Sequence, residues 1–271
     1  MKVLMATDGS KDAAIAMNTA QTLLRRDRLH VDVLSVAPEL VLAGNAGIAQ
    51  DAQQDLLRHG VQANALTDVG SPAEDILRLA SDYDLVVVGA HGKFERTQPG
   101  LGPVSSQIVE QSRSSVFVGR ELSNERTYRV LVALDGSESS FEALRSLNVF
   151  FDLSTLDVTL MSVVEMPSSE LEDIDALESA EDAREIESEL RAEADAAVNR
   201  AIRLLEAWRI PSTTIIEDGD PVLELTSHAE EGNYDLIVVG ARGSSETEHP
   251  RLGSVSQALA WNAPCSVLII R

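Results

Sequence analysis

Leu236-Ile237-Val238-Val239-Gly240-Ala241-Arg242-Gly243, closed a little further on by Gly253-Ser254-Val255-Ser256, is the stretch that decides the fold of this chain. An apolar, β-branched run that opens into glycines reads as a buried strand ending in a tight turn. Gln257-Ala258-Leu259-Ala260-Trp261 then reads as helix, so the order is strand, glycine loop, helix start. That order gathers free backbone N–H groups at the positive end of a helix, where an anion can sit. Glycine lets the chain approach such an anion closely, and the Ser254 and Ser256 hydroxyls are candidate further donors.

The arrangement occurs twice. Leu85-Val86-Val87-Val88-Gly89-Ala90-His91-Gly92 leads to Gly102-Pro103-Val104-Ser105, and the interval from Gly89 to Gly102 equals that from Gly240 to Gly253. Two copies at one internal spacing mark a duplication. Upstream of each loop stands a short apolar strand broken by Asp-Gly-Ser, at Asp8-Gly9-Ser10 and at Asp135-Gly136-Ser137. The chain therefore divides into domains expected at 1–123 and 127–271, with a brief polar connection between them.

Working outward, the first half is expected to place a helix over 11–26, with Ala14, Met17, Ala20, Leu23 and Leu24 at helical steps. A strand at 31–36, a short helix at 48–58 and a weaker strand at 61–68 follow. A helix over 72–81 is entered through Ser71-Pro72, and a strand at 115–118 closes the half. The second half repeats this with strands at 130–134, 158–164, 213–217 and 266–270, and helices at 140–149 and 221–230. Its breaker and loop lie further apart than those of the first half, so it carries an insertion between its second and third strands. The insertion is an acid-rich stretch, 168–187, which reads as a solvated face. A helix follows, with Ile186, Leu190, Ala194, Ala197, Val198, Ile202, Leu205 and Trp208 on its apolar side.

Each half thus alternates strand and helix and ends on a strand. The fold class is α/β: two tandem doubly wound domains, each with a five-stranded, mostly parallel sheet flanked by helices. In such sheets ligands sit beyond the carboxyl ends of the strands, so each Asp-Gly-Ser breaker and glycine loop should face one crevice. The apolar closing strands need partners, and the two halves are expected to pair through them. A homodimer is compatible with the same edges.

Composition narrows the function classes. No run in the 271 residues is long and apolar enough to span a bilayer, and Asp8 interrupts the N-terminal apolar run too early for a signal peptide. Cys265 is the only cysteine, which excludes an intramolecular disulfide and fits a reducing cytoplasm. It opens a buried strand and reads as core rather than as a reactive thiol. With 44 acidic residues against 22 basic ones the formal net charge is −22, so nucleic acid and anionic membranes are poor partners. Only Lys2, Lys11 and Lys93 are lysines, the other bases being arginine. This balance points to a halophile, whose salt-rich cytoplasm screens self-repulsion, although an acidic mesophilic protein shares it. Circular dichroism should show a lower melting point in dilute buffer than in molar salt; a melting point indifferent to salt would contradict the halophilic reading.

On the two breakers, the two loops and the strand order, the chain resembles the universal stress protein family along both halves. Asn262-Ala263-Pro264-Cys265-Ser266-Val267-Leu268-Ile269-Ile270 also resembles the family's closing strand. The resemblance implies an adenine nucleotide, ATP, as ligand. By it, Asp135 would sit beside the ribose, Ala133 would line the pocket with Val239, and Val163 would present main-chain groups to the adenine edge. Gly240, Arg242, Gly243, Gly253, Ser254, Val255 and Ser256 would hold the phosphates, with Mg²⁺ carried on them rather than in a protein site. Asp135 and Asp8 also suit an Asx turn or a helix cap, roles compatible with ligand contact.

The corresponding first-half set is Asp8, Val36, Gly89, His91, Gly92, Gly102 and Ser105, and it departs from the pattern. Pro103 stands where the second half has Ser254, so one hydroxyl and one backbone N–H are missing. His91, Lys93 and Arg96 make that loop more basic, whereas Glu246 and Glu248 make the second more acidic. Backbone donors decide in favour of the second half, because flexible surface charges are screened by salt. Asp135, Arg242 and His249 near phosphates would allow slow hydrolysis, but no metal cluster or Ser/His/Asp arrangement stands out, and no catalytic or metal residue is assigned. The reading is an ATP-binding protein of stress response or signalling without efficient catalysis. Its alternatives are a nucleotide-free dimerising interaction module and a slow ATP hydrolase.

Overall fold

The computed structural model describes residues 1–37, 47–93, 100–122, 127–165, 180–243 and 252–271. Arg96, Glu246, Glu248, His249 and residues 168–179 of the acid-rich stretch lie outside them. The first half runs β1 (Lys2–Ala6), α1 (Lys11–Leu23), β2 (His30–Ala37), α2 (Ile48–Arg58), β3 (Gln62–Val69), α3 (Pro72–Ala80), β4 (Leu85–Gly89), α4 (Pro103–Gln111) and β5 (Ser115–Gly119). The second runs β6 (Tyr128–Ala133), α5 (Glu138–Phe150), β7 (Leu156–Val164), α6 (Ala180–Ala207), β8 (Ser212–Asp218), α7 (Pro221–Glu231), β9 (Leu236–Gly240), α8 (Ser254–Asn262) and β10 (Ser266–Ile270).

The strands join one ten-stranded sheet in the order β3-β2-β1-β4-β5-β10-β9-β6-β7-β8. Pairings such as β1 with β2 and β4, or β9 with β6 and β10, are parallel. The halves meet where β5 runs antiparallel to β10, with Phe117 opposite Leu268. Side chains alternate along each strand and so feed two cores. Val3, Met5, Phe117, Val132 and Leu268 pack on the side of α1, α2, α5 and α6. Leu4, Val86, Val118, Leu131 and Ile269 pack on the side of α3, α4, α7 and α8. Both cores cross the junction, which is why the closing strands hold no solvent-facing apolar surface.

Serine caps start the helices that leave the breakers: Ala13 N–H donates to Ser10 Oγ and Ser140 N–H to Ser137 Oγ, each at 3.1 Å. The first helix stops at Leu23 rather than Arg26. Leu24 forms an antiparallel bridge with Phe151, and Arg25 N–H donates to Phe150 C=O at 2.8 Å. Contact between the halves therefore overrides the local helical pattern there.

The junction is also held by two arginines in matching places. Arg120, just after β5, donates from Nη2 to Ala260 C=O (2.7 Å) and from Nη1 to Cys265 C=O (3.1 Å). Arg271, just after β10, donates from Nη2 to Val109 C=O at 2.6 Å. Each guanidinium meets the C-terminal turn of the other half's helix, α8 or α4, where carbonyls lack intrahelical donors and the dipole favours a cation. Burial pushes both guanidinium pKa values down from their ordinary range. The Cys265 thiol lies in the same junction and is pushed up to about 12, chiefly by burial. Thiolate is thus scarce at neutral pH, and Ellman's reagent should react with Cys265 only after unfolding. Rapid reaction in native buffer would contradict this.

Candidate functional site

The carboxyl ends of β6, β7 and β9 open onto a crevice of about 1140 Å³. After β6 the chain turns at once into α5, and Asp135 makes that turn: its Oδ1 accepts from Ser137 N–H at 3.0 Å and from Ser137 Oγ at 2.6 Å. Gly136 between them has φ +80°, a conformation glycine adopts without strain. The carboxylate also faces the glycine loop. A Cβ on Gly243 would stand 3.1 Å from Asp135 Oδ2, and one on Gly240 would strike the Ser139 backbone at 2.7 Å. Glycine at both places lets the end of β9 lie directly against the start of α5.

The same loop then positions a helix start. Gly253 N–H donates to Ala241 C=O at 2.8 Å, and the first rung of α8 is Gln257 N–H to Gly253 C=O at 2.9 Å. The amides of Ser254, Val255 and Ser256 precede that rung, at the positive end of the helix. Ala133, Asp135, Val163, Val239, Gly240, Arg242, Gly243, Gly253, Ser254, Val255 and Ser256 all line the crevice. One expected donor is otherwise engaged. The Ser256 hydroxyl, buried, donates to Gly240 C=O at 2.6 Å, so Ser256 can offer its amide but not its hydroxyl proton.

A third wall comes from α6, through Leu190, Ala194, Ala197 and Arg200. The Arg200 guanidinium lies 3.7 Å over the Phe141 ring and donates to Glu138 Oε2 at 3.2 Å. Arg145, bonded at 2.7 Å, and then Arg200 hold the Glu138 carboxyl below the usual carboxylate range. Among the described residues no group of three or more His, Cys, Asp or Glu could hold a metal ion, and no helix is long and apolar enough to cross a membrane.

The model of the universal stress protein family matches residues 1–120 and again 127–271. The chain belongs to that family. It is 34% identical over 157 residues to the universal stress protein YxiE of Bacillus subtilis, covering 53% of this chain and 98% of the relative. It is 29% identical over 150 residues to the universal stress protein MJ0531 of Methanocaldococcus jannaschii, covering 53% and 81%. The crystal structure of a universal stress protein from Archaeoglobus fulgidus shares the fold over 100% of this chain and 98% of its own, at 19% identity and a TM-score of 0.64.

In this universal stress protein the first half follows the same plan with different contents. Gly102 N–H donates to Ala90 C=O at 2.8 Å, and the Ser105 hydroxyl donates to Gly89 C=O at 2.7 Å, as Ser256 does to Gly240. The structure brings Asp8, Gly89, His91, Gly92, Gly102 and Ser105 to one end of the sheet, beside Val36 at the end of β2. Both Asp8 oxygens are engaged, by Ser10 N–H at 2.8 Å and by Lys93 N–H at 2.7 Å. His91 is drawn inward, its Nδ1 3.2 Å from Asp12 Oδ2. Pro103 is the first residue of α4 and has no amide hydrogen.

The α2 and α6 helices of the universal stress protein end alike, with Val61 N–H to Leu56 C=O and Ile210 N–H to Leu205 C=O. On that register Ile48 stands where Ala197 does, and Asp51 where Arg200 does. Ile48 and Ala197 do occupy matching places, each beside the breaker glycine, Gly9 or Gly136. The sequence reading missed Arg200, Phe141 and the α6 wall, treating Leu190, Ala194 and Ala197 as an ordinary apolar face. The usable signal was the insertion: extra helical turns ahead of a helix whose partner ends beside the breaker must run on past the crevice.

Proposed function

We propose that this universal stress protein binds ATP in its C-terminal half and works as a cytoplasmic protein of stress response or signalling without efficient turnover. The observation that carries this is the convergence of Asp135, the Gly240–Gly243 loop and the amides of Ser254 to Ser256 on one crevice. An anion beside those amides meets a helix N-terminus and oriented donors. Asp135 is placed to accept from ribose hydroxyls, and the β-strand ends at Ala133, Val163 and Val239 supply the apolar surface for a base. Mg²⁺ would travel on the phosphates.

In this reading, 1–123 is a domain with a degenerate nucleotide loop and 127–271 one with a complete loop. Pro103 removes a donor, and Asp51 places a negative charge where the second half has Arg200. Thermal unfolding with and without Mg-ATP tests the proposal. A ligand that binds only the folded state at about a hundredfold excess over Kd adds about 2.7 kcal/mol, a rise readily seen in Tm. No rise with ATP, with the chain folded, would favour the ligand-free interaction module instead.

A further inference from the structure

We propose that Arg200 is a positioning residue of the second crevice: it locks α6 onto α5 and so sets the third wall, without binding phosphate itself. This rests on the nucleotide reading above. Arg200 has the geometry of a lock. Its guanidinium lies 3.7 Å over the ring of Phe141, which is only 1% exposed and cannot shift with it. Its Nη2 donates to Glu138 Oε2, and Glu138 is itself anchored by Arg145. Both partners belong to α5, the helix that leaves the Asp135 turn, so the charge is matched before any ligand arrives.

The core holds the C-terminal part of the wall, through Ala197, Val198 and Ala201, and leaves the part before Ala194 to polar ties. Between residues 184 and 193 most α6 side chains are exposed, and among the described side chains of the helix the first buried one is Ala194. Arg191, paired with Asp218 at 2.8 Å, ties the helix on its β8 side. Arg200 ties it on the crevice side. The residues of the lock have no counterpart at the matching positions of the first half. In the first half α2 begins at Ile48, and by the Ser10–Ser137 and Leu56–Leu205 registers Lys11, Ala14 and Asp51 stand in place of Glu138, Phe141 and Arg200. Ala14 carries no ring, and α2 is capped at Gly47 immediately before Ile48.

The test uses the full chain with Arg200→Ala, Arg200→Lys and Glu138→Gln, titrated with Mg-ATP and with adenosine. Through a displaced wall, Arg200→Ala should weaken both ligands by the same factor, about tenfold, as loss of one ring contact and one exposed ion pair would give. Glu138→Gln should weaken both by less, and Arg200→Lys should restore part of the loss. Hydrogen exchange reads the wall directly: without ligand, amides of 184–200 should exchange about tenfold faster in Arg200→Ala, with α2 unchanged. Loss of ATP affinity with adenosine unaffected would make Arg200 a phosphate ligand and overturn the proposal. Unchanged exchange and affinity would overturn it equally. If the native chain bound neither ligand, the nucleotide reading would fall, and the exchange comparison would still decide the lock.

Discussion

Gly253→Val should abolish ATP binding while leaving the ligand-free fold almost intact. Gly253 caps α8 with φ −65° and ψ 150°, extended values that a β-branched residue also adopts. Its own amide donates to Ala241, a bond that substitution retains. The side chain, however, would project beside the amides of Ser254 and Val255, where a phosphate must come within hydrogen-bond distance. Charge-assisted hydrogen bonds contribute about 1.5–3 kcal/mol each, so losing two of them lowers affinity by at least about a hundredfold. A glycine N-cap costs only tenths of a kcal/mol against the better caps, and a valine about 1 kcal/mol, so Tm without nucleotide should fall little. Calorimetry paired with a thermal melt separates the two effects. Retained tight binding in a folded Gly253→Val protein would show that the helix start is not the phosphate site.

Arg120→Ala should be the most damaging surface-to-core truncation at the junction. It removes donors to Ala260 and Cys265 carbonyls and leaves both facing a partly buried space. Unsatisfied buried acceptors cost about 1–3 kcal/mol each, so for the two of them a loss of about 2–6 kcal/mol is expected in urea unfolding. The backbone N–H of Arg120 would still donate to Ser266 Oγ, and the β5–β10 ladder would remain, which limits the loss. Because both cores cross the junction, the halves should still unfold in one transition. A loss below about 0.5 kcal/mol would mean that water satisfies those carbonyls.

Much of the fold was legible because local chemistry and tertiary packing agree. Apolar runs ending in Gly89 and Gly240 read as buried strands, and Ser10 and Pro72 each mark a helix start, whereas the helix expected from Ser140 begins at Glu138 behind the Ser137 cap. The closing strands announced their own partner by being apolar at an edge. The misjudged places are those where contacts from distant residues decide. Nothing local to Leu24 indicates Phe151, and nothing near Arg120 or Arg271 indicates a helix end in the other half. The candidate site divides in the same way. Its backbone parts, the turn at Asp135 and the amides after Gly253, follow from residue type. Its side-chain parts do not: the Ser256 hydroxyl turned out to be bonded to Gly240, and Arg200 reaches the crevice only because α6 runs across it.

The central claim is that two loops of one design serve unequally, the second holding a nucleotide and the first serving as a structural counterpart. Titration calorimetry of the full chain with Mg-ATP tests it most directly. The account predicts saturation at about one nucleotide per chain. Saturation at two equivalent sites per chain would contradict it, because the missing amide of Pro103 would then have no effect on binding.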